Sequence, residues 1–322
     1  MKTKEKFIQH DHNHDGLDRR GFLECMAWAG TGLLWAGAGG VFASGLLRPA
    51  PAAAAETKAA ADITFVQISD SHIGFNKEAN KDVLGTLKEA VAKINALPTP
   101  PDFIIHTGDL THLSETEEFD TLEQILKGSK ARQVFYVPGE HDVLNDNGKQ
   151  YLRRFGKGTK GGGWFSFDHK GTHFIGLNNV MNIREGGLGQ LGDEQLEWME
   201  DDLKAVSDST PVVVFAHVPL WMVYPQWGWG TEDGARALSY LKRFGSLTVL
   251  NGHIHQVLQK TEGNATFQTA MSTAFPQPAP GTAPKPGPLK VEPGKLRGVL
   301  GITDVRYREG THSLAIVDDT LA

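Results

Sequence analysis

From residue 62 onward, short apolar runs alternate with stretches of helical spacing. The run at 63–69 is rich in β-branched and aromatic side chains and ends in polar residues, which predicts a strand. Residues 81–97 follow with apolar side chains at 83, 84, 87, 91, 94 and 97, one face of a helix. The same logic predicts a strand at 102–107, a short helix at 116–126 and a strand at 132–137 closed by Pro138-Gly139. A helix at 192–206 comes next, then strands at 211–216 and 247–250 separated by a helix at 233–244. Strands alternating with helices predict α/β layering. Two hairpins are expected as well, 164–169 with 172–177 and 299–308 with 312–317, and a β-rich group at 256–272. Residues 275–294 hold too much Pro and Gly for regular structure. One domain with two sheets is the economical reading.

The chain ahead of residue 62 follows another pattern. A polar, His-rich start (His10, His12, His14) leads to Arg19-Arg20-Gly21-Phe22-Leu23. A weakly apolar stretch at 25–47 carries six glycines, and Arg48-Pro49 and an alanine run ending Ala53-Ala54-Ala55-Glu56 follow. Basic start, apolar middle and small-residue end are the parts of a secretory signal. The arginine pair resembles the twin-arginine export signal of bacteria. That resemblance implies a leader at 1–55, a linker at 56–61, a folded domain at 62–322, and a periplasmic or otherwise exported location with the twin-arginine machinery as partner. The 23 residues of 25–47 could span a bilayer, but the glycines and the Ala-x-Ala cleavage candidate argue against a stable membrane anchor.

Composition narrows the chemistry. The chain has 322 residues, 32 Lys+Arg against 38 Asp+Glu, and a formal charge of −6, so no nucleic-acid partner is expected. Its single cysteine, Cys25, lies in the leader and excludes both a disulfide framework and a Cys-based zinc site. Thirteen histidines are the excess to explain.

The ionisable residues cluster where predicted strands end: Asp70-Ser71-His72, Gly108-Asp109, Gly139-Glu140-His141-Asp142, His217, and Gly252-His253-Ile254-His255. In α/β sheets, ligands gather outside the carboxyl ends of strands. On an extended backbone, His253 and His255 would share one side with Ile254 facing away. Five such ends in order resemble the calcineurin-like metallophosphoesterase superfamily, whose pattern is D-x-H, G-D-x-x-D, G-N-H-D/E, a lone His and G-H-x-H. The resemblance covers roughly 62–260. It implies a four-layer α-β-β-α sandwich and two metal ions drawn from iron, manganese or zinc. Asp70, His72 and His255 would hold the first ion, Asp109 would bridge, and His217, His253 and Glu140 would complete the second. His141 would sit beside the leaving group, oriented by Asp142. The activity implied is hydrolysis of a small-molecule phosphomonoester or phosphodiester, by in-line attack of a hydroxide bridging the two metals.

Two positions depart from that pattern. Glu140 stands where the family has Asn, so Asp70, Asp109 and Glu140 together bring −3 against +4 from two divalent ions. With a bound hydroxide the centre is neutral, which is expected to disfavour monoester dianions relative to diesters, or to favour a trivalent first metal. His112 replaces the second Asp of G-D-x-x-D and is a candidate for holding a ligand or meeting the phosphate. Trp221, Tyr224, Trp227 and Trp229 crowd the loop after His217, where Trp221, Trp227 and Trp229 are candidates for stacking on substrate. His106, His169, His173 and His312 are expected to be structural. Two other readings stay open: a metal-binding or sensing protein without turnover on the same scaffold, and a membrane-anchored partner protein using the aromatic loop.

Overall fold

The computed structural model describes residues 62–183, 187–292, 294–307 and 314–322. The leader at 1–55, the linker at 56–61 and His312 lie outside these described residues. The first sheet has the order β11-β10-β1-β2-β3, from β1 (Ile63–Ile68), β2 (Phe103–His106), β3 (Val134–Tyr136), β10 (Gly301–Tyr307) and β11 (Ala315–Thr320). In the second, the order is β4-β5-β6-β7-β9-β8, from β4 (Phe165–His169), β5 (Thr172–Gly176), β6 (Val212–Ala216), β7 (Leu247–Asn251), β8 (Gln259–Glu262) and β9 (Ala265–Thr269). β1, β2 and β3 run parallel, as do β5, β6, β7 and β9.

Period-two alternation builds the layers. In β1, Ile63 and Phe65 face Phe174, Val213 and Phe215 of the other sheet, while Val66 and Ile68 join the helix side. Phe65 stacks on Phe103 at 5.2 Å and meets Phe174 edge-on at 5.6 Å, so aromatic rings join the sheets. Two helices, α1 (Val83–Asn95) and α2 (Thr116–Leu126), cover the outer face of the first sheet through Leu87, Val91, Ile94, Phe119 and Leu122. A seven-residue helix that the apolar spacing does not reveal, α3 (Lys149–Phe155), adds Tyr151 to this cluster. The second sheet is covered by α4 (Asp193–Leu203) and α5 (Gly234–Leu241) through Leu196, Met199, Leu203, Ala237 and Leu241. The result is α-β-β-α layering, each such buried side chain contributing about 1.5–3 kcal/mol. No helix among the described residues is long and apolar enough to cross a membrane.

Strand polarity fixes the site. β1, β2 and β3 from one sheet, and β6 and β7 from the other, deliver their C-terminal loops to one edge of the sandwich. Gln67 stitches the sheets just beneath that edge, its amide donating to Thr107 Oγ1 at 3.0 Å and to the Asn251 carbonyl at 3.1 Å.

Candidate metal centre

The five loops bring the candidate residues together in two donor groups. Asp70, His72, Asp109 and His255 place ligand atoms within 4.8 Å of one another, and so do Glu140, His217 and His253. Asp109 stands between them, with Oδ2 3.4 Å from His72 Nε2 and 3.4 Å from His217 Nε2. Its other oxygen accepts the His141 backbone N–H at 2.9 Å, which fixes the carboxylate plane. Glu140 reaches His217 Nε2 at 2.9 Å and His253 Nδ1 at 3.0 Å. In the first group, Asp70 Oδ1 is 3.2 Å from His255 Nε2, which is itself 3.3 Å from His72 Nε2.

Such loops demand unusual backbone. Asp70, His72, Asp109, His253 and His255 have φ between 41° and 70°, five of the eight non-glycine positions of positive φ among the described residues. Each costs about 1–3 kcal/mol, and strain of this kind collects at functional sites. The positive φ also corrects one expectation: His253 and His255 do not extend a strand, since β7 ends at Asn251. Left-handed turns send His253 to the Glu140 group and His255 to the Asp70 group, with Ile254 buried between them. Glycine makes the close approach possible. A Cβ on Gly252 would lie 2.0 Å from Ser69 Oγ and 2.7 Å from Asp70 Oδ2.

Backbone carbonyls orient the imidazoles. His217 Nδ1–H donates to the Thr107 carbonyl at 2.7 Å and His255 Nδ1–H to the Phe275 carbonyl at 2.5 Å. Both rings therefore present Nε2 to the centre, the outer support that metal-binding histidines need. Phe275 also lays its ring against His72 at 4.7 Å and His255 at 4.8 Å. Sequence reasoning missed Thr107 and Phe275 because a carbonyl carries no residue signature.

The donor chemistry fits metal ions. Glu140 Oε2, His217 Nε2 and both ring nitrogens of His253 are buried, and although Glu140 lies 2.9–3.0 Å from His217 Nε2 and His253 Nδ1, none of these atoms makes a well-aligned hydrogen bond, a costly state unless an ion satisfies them. Ligands about 2.1 Å from one ion lie about 3.0–3.4 Å apart, from octahedral to tetrahedral geometry, and that is the spacing found here. Burial opposes ionisation of Asp70 and Glu140, yet the surrounding histidines hold both carboxyls below the usual range. Burial, and then the neighbouring His141 and His255, push His72 well below its ordinary value, leaving it neutral and able to ligate.

The remaining candidates divide. His141 donates Nδ1–H to the His112 carbonyl at 2.7 Å and stacks on the His112 ring at 4.9 Å. Burial lowers its pKa, but Asp109 and Glu140 more than compensate and the net shift is upward. His112 Nδ1 lies 3.5 Å from His72 Nδ1, and burial followed by His141 pushes His112 down to about 4. Asp142 does not orient His141. Its carboxylate accepts from the backbone N–H groups of Leu110, Thr111 and Gly139 and from the Thr111 hydroxyl, at 2.8–3.1 Å. The 3-10 turn Glu140–Asp142 aims it back at the Asp109 loop, so it ties two ligand loops together. Trp227, half-buried, lines a cleft of about 570 Å³ with Glu140, His141 and His253. Trp229 lies behind it and is 1% exposed, so it braces Trp227 edge-on and does not stack on substrate. Trp221 is outside the cleft: it packs edge-on against Phe267 at 5.1 Å under the second sheet, because the loop still follows the helix-side face of Ala216 and Leu220 there. His106 is buried against Ser71 Oγ at 2.8 Å, His169 lies 3.4 Å from Asp102, and His173 joins Asp168 to Asp202.

Comparison with known proteins agrees with this arrangement. Residues 63–257 match the family described as calcineurin-like phosphoesterase. The serine/threonine-protein phosphatase CPPED1 of Danio rerio is 27% identical over 221 residues, 60% of this chain and 70% of that protein. The glycerophosphodiester phosphodiesterase GpdQ of Enterobacter lignolyticus is 26% identical over 227 residues, 66% of this chain and 78% of its own length. Among solved structures, a dimetal phosphatase from Danio rerio superposes with a TM-score of 0.54 at 16% identity, covering 81% of this chain and 99% of that one. The purple acid phosphatase PPD1 of Lupinus luteus gives 0.56 at 14% identity, over 81% of this chain and 52% of that one. At such identities the structural likeness speaks for the fold.

Proposed function

The chain belongs to the calcineurin-like phosphoesterase family, and on that premise we propose that it is an exported phosphoesterase using two metal ions, one in each donor group. The observation that carries this reading is Asp109, one carboxylate oxygen of which stands 3.4 Å from a histidine of either group. Ions bound there would supply Lewis acidity to activate water and to neutralise phosphoryl charge.

The protein's own part is positional. Asp70, His72 and His255 would hold one ion and Glu140, His217 and His253 the other, with Asp109 shared. Thr107 and Phe275 keep two of the imidazoles in the ligating tautomer. His141, its Nδ1–H held by the His112 carbonyl, offers Nε2 to the cleft. Its Nε2 can hydrogen-bond a phosphoryl oxygen and, when protonated, hand its proton to the departing alkoxide oxygen. The relatives named above are a phosphatase and a phosphodiesterase, in keeping with phosphoester hydrolysis.

Metal analysis of the natively produced protein, with a monoester and a diester assayed on the same sample, tests the reading. Two ions per chain with turnover is the expected result; bound metal with no hydrolysis of either ester favours a metal-binding or sensing role. The leader supports export: changing Arg19 and Arg20 to Lys is expected to abolish it, and undiminished export rejects the twin-arginine route.

A further inference from the structure

Beside the donor groups the cleft changes character. Glu140, His141 and His253 line it together with Leu144, Ile183, Trp227 and Pro286. Leu144 is 55% exposed, an apolar side chain held in water next to the proposed reaction centre. Trp227 is half-buried and rigidly held, meeting Trp229 edge-on at 5.2 Å and Tyr224 at 5.3 Å. Its turn is pinned in turn, since the Val223 and Tyr224 backbone N–H groups both donate to the Trp229 carbonyl at 2.8 and 3.0 Å. A fixed indole that keeps part of its surface in a cleft is a stacking platform.

Charge points the same way. Glu140 is the carboxylate that the cleft shares with the donor groups, and it carries its charge into both. Asp70, Asp109 and Glu140 bring −3, so two divalent ions and a bound hydroxide leave the centre neutral. A phosphodiester monoanion then adds a single negative charge, whereas a monoester dianion leaves −2 in a largely buried site.

Resting on the phosphoesterase reading above, we propose that the substrates are phosphodiesters carrying an apolar, preferably aromatic, organic group that stacks on Trp227 between Leu144, Ile183 and Pro286. The phosphate meets the donor groups and His141, and the organic group fills the apolar part of the cleft.

Calorimetric titration of the metal-loaded protein with diphenyl phosphate and dimethyl phosphate tests the apolar subsite. Diphenyl phosphate is expected to bind at least tenfold more tightly, roughly what burying one ring provides. Trp227→Ala should bring that ratio below threefold and Trp227→Phe should retain most of it. In parallel, kcat/KM for bis(p-nitrophenyl) phosphate should exceed that for p-nitrophenyl phosphate at least tenfold, the leaving group being the same. Equal binding of the two diesters, a ratio that survives Trp227→Ala, or a higher kcat/KM for the monoester overturns the proposal. If Trp227→Ala fails to fold, the ratio in the unaltered protein still decides. Absence of hydrolysis of both nitrophenyl esters with metal bound rejects the enzymatic reading instead, a result the binding ratio cannot mimic.

Discussion

Replacing Gly139 by alanine asks how tightly the ligand loops are interlocked. The backbone there is extended, with φ −99° and ψ 175°, so alanine is conformationally acceptable and the cost is steric. A Cβ would lie 2.1 Å from Asp109 Oδ1 and 2.3 Å from the Asp109 backbone nitrogen. Opening the nearer contact to 3.0 Å requires the loops to part by 3.0 − 2.1 = 0.9 Å. Overpacking of this kind costs about 1–3 kcal/mol. In a domain of this size that lowers Tm by about 3–10 °C and leaves the chain folded at 25 °C. Activity should fall much further, because a displacement of about 1 Å at a reacting centre costs on the order of 100-fold. Turnover of bis(p-nitrophenyl) phosphate, metal content and thermal unfolding would be measured together. The expected outcome is a folded protein with roughly 100-fold lower kcat/KM and reduced metal. Gly298→Ala, where nothing lies within 4 Å of the added methyl, should change neither. A Gly139→Ala protein with kcat/KM within about threefold of the original would refute the interlocked-loop account.

Four further outcomes follow from the same structure. Glu140→Asn removes one negative charge from the centre and should raise the monoester-to-diester ratio of kcat/KM about tenfold; an unchanged ratio removes the electrostatic argument. Chelation of the metals should abolish hydrolysis and lower Tm, with about 2.7 kcal/mol of stability restored when free metal reaches 100 times its Kd; an unmoved Tm would argue against the donor groups as ion sites. For His173, burial lowers the pKa but Asp202 and Asp168 more than offset it, so the folded value is raised. Its stabilisation is therefore fully present below the unfolded pKa and is lost as pH rises through the folded one, so His173→Gln should cost about 1–2 kcal/mol in acid and progressively less toward alkaline pH; a pH-independent difference would contradict this. Trp221→Ala should lower Tm by several degrees through lost packing on Phe267 while leaving KM unchanged, and a raised KM would return Trp221 to the substrate.

The strand ends were legible because chemistry and periodicity coincide there. The run at 63–69 reads as β-rich and breaks abruptly into Asp70 and His72; the buried strands β2, β6 and β7 break in the same way, and so does the half-buried β3. Helix α2 was also legible, its bounds falling at 116–126 as its apolar spacing predicts. Helix α3, at seven residues, is too short for a period to register. Asp142 shows where adjacency misleads: next to His141 in sequence, it is turned by a 3-10 step toward the backbone of Leu110 and Thr111. Trp221 and Trp227 share a loop and a residue type, and only the path of the chain separates the one under the sheet from the one in the cleft. The carbonyls of Thr107, His112 and Phe275 position three imidazoles, a role that no side-chain pattern encodes.

The central claim is that two donor groups sharing Asp109 hold two ions that act together on a phosphoester. Titrating metal back into chelated protein, with bound metal per chain and diester hydrolysis followed in the same samples, tests it most directly. The account predicts saturation at two ions per chain, with hydrolysis rising steeply only as the second site fills. Full activity at one ion per chain, or hydrolysis by protein holding none, would contradict it.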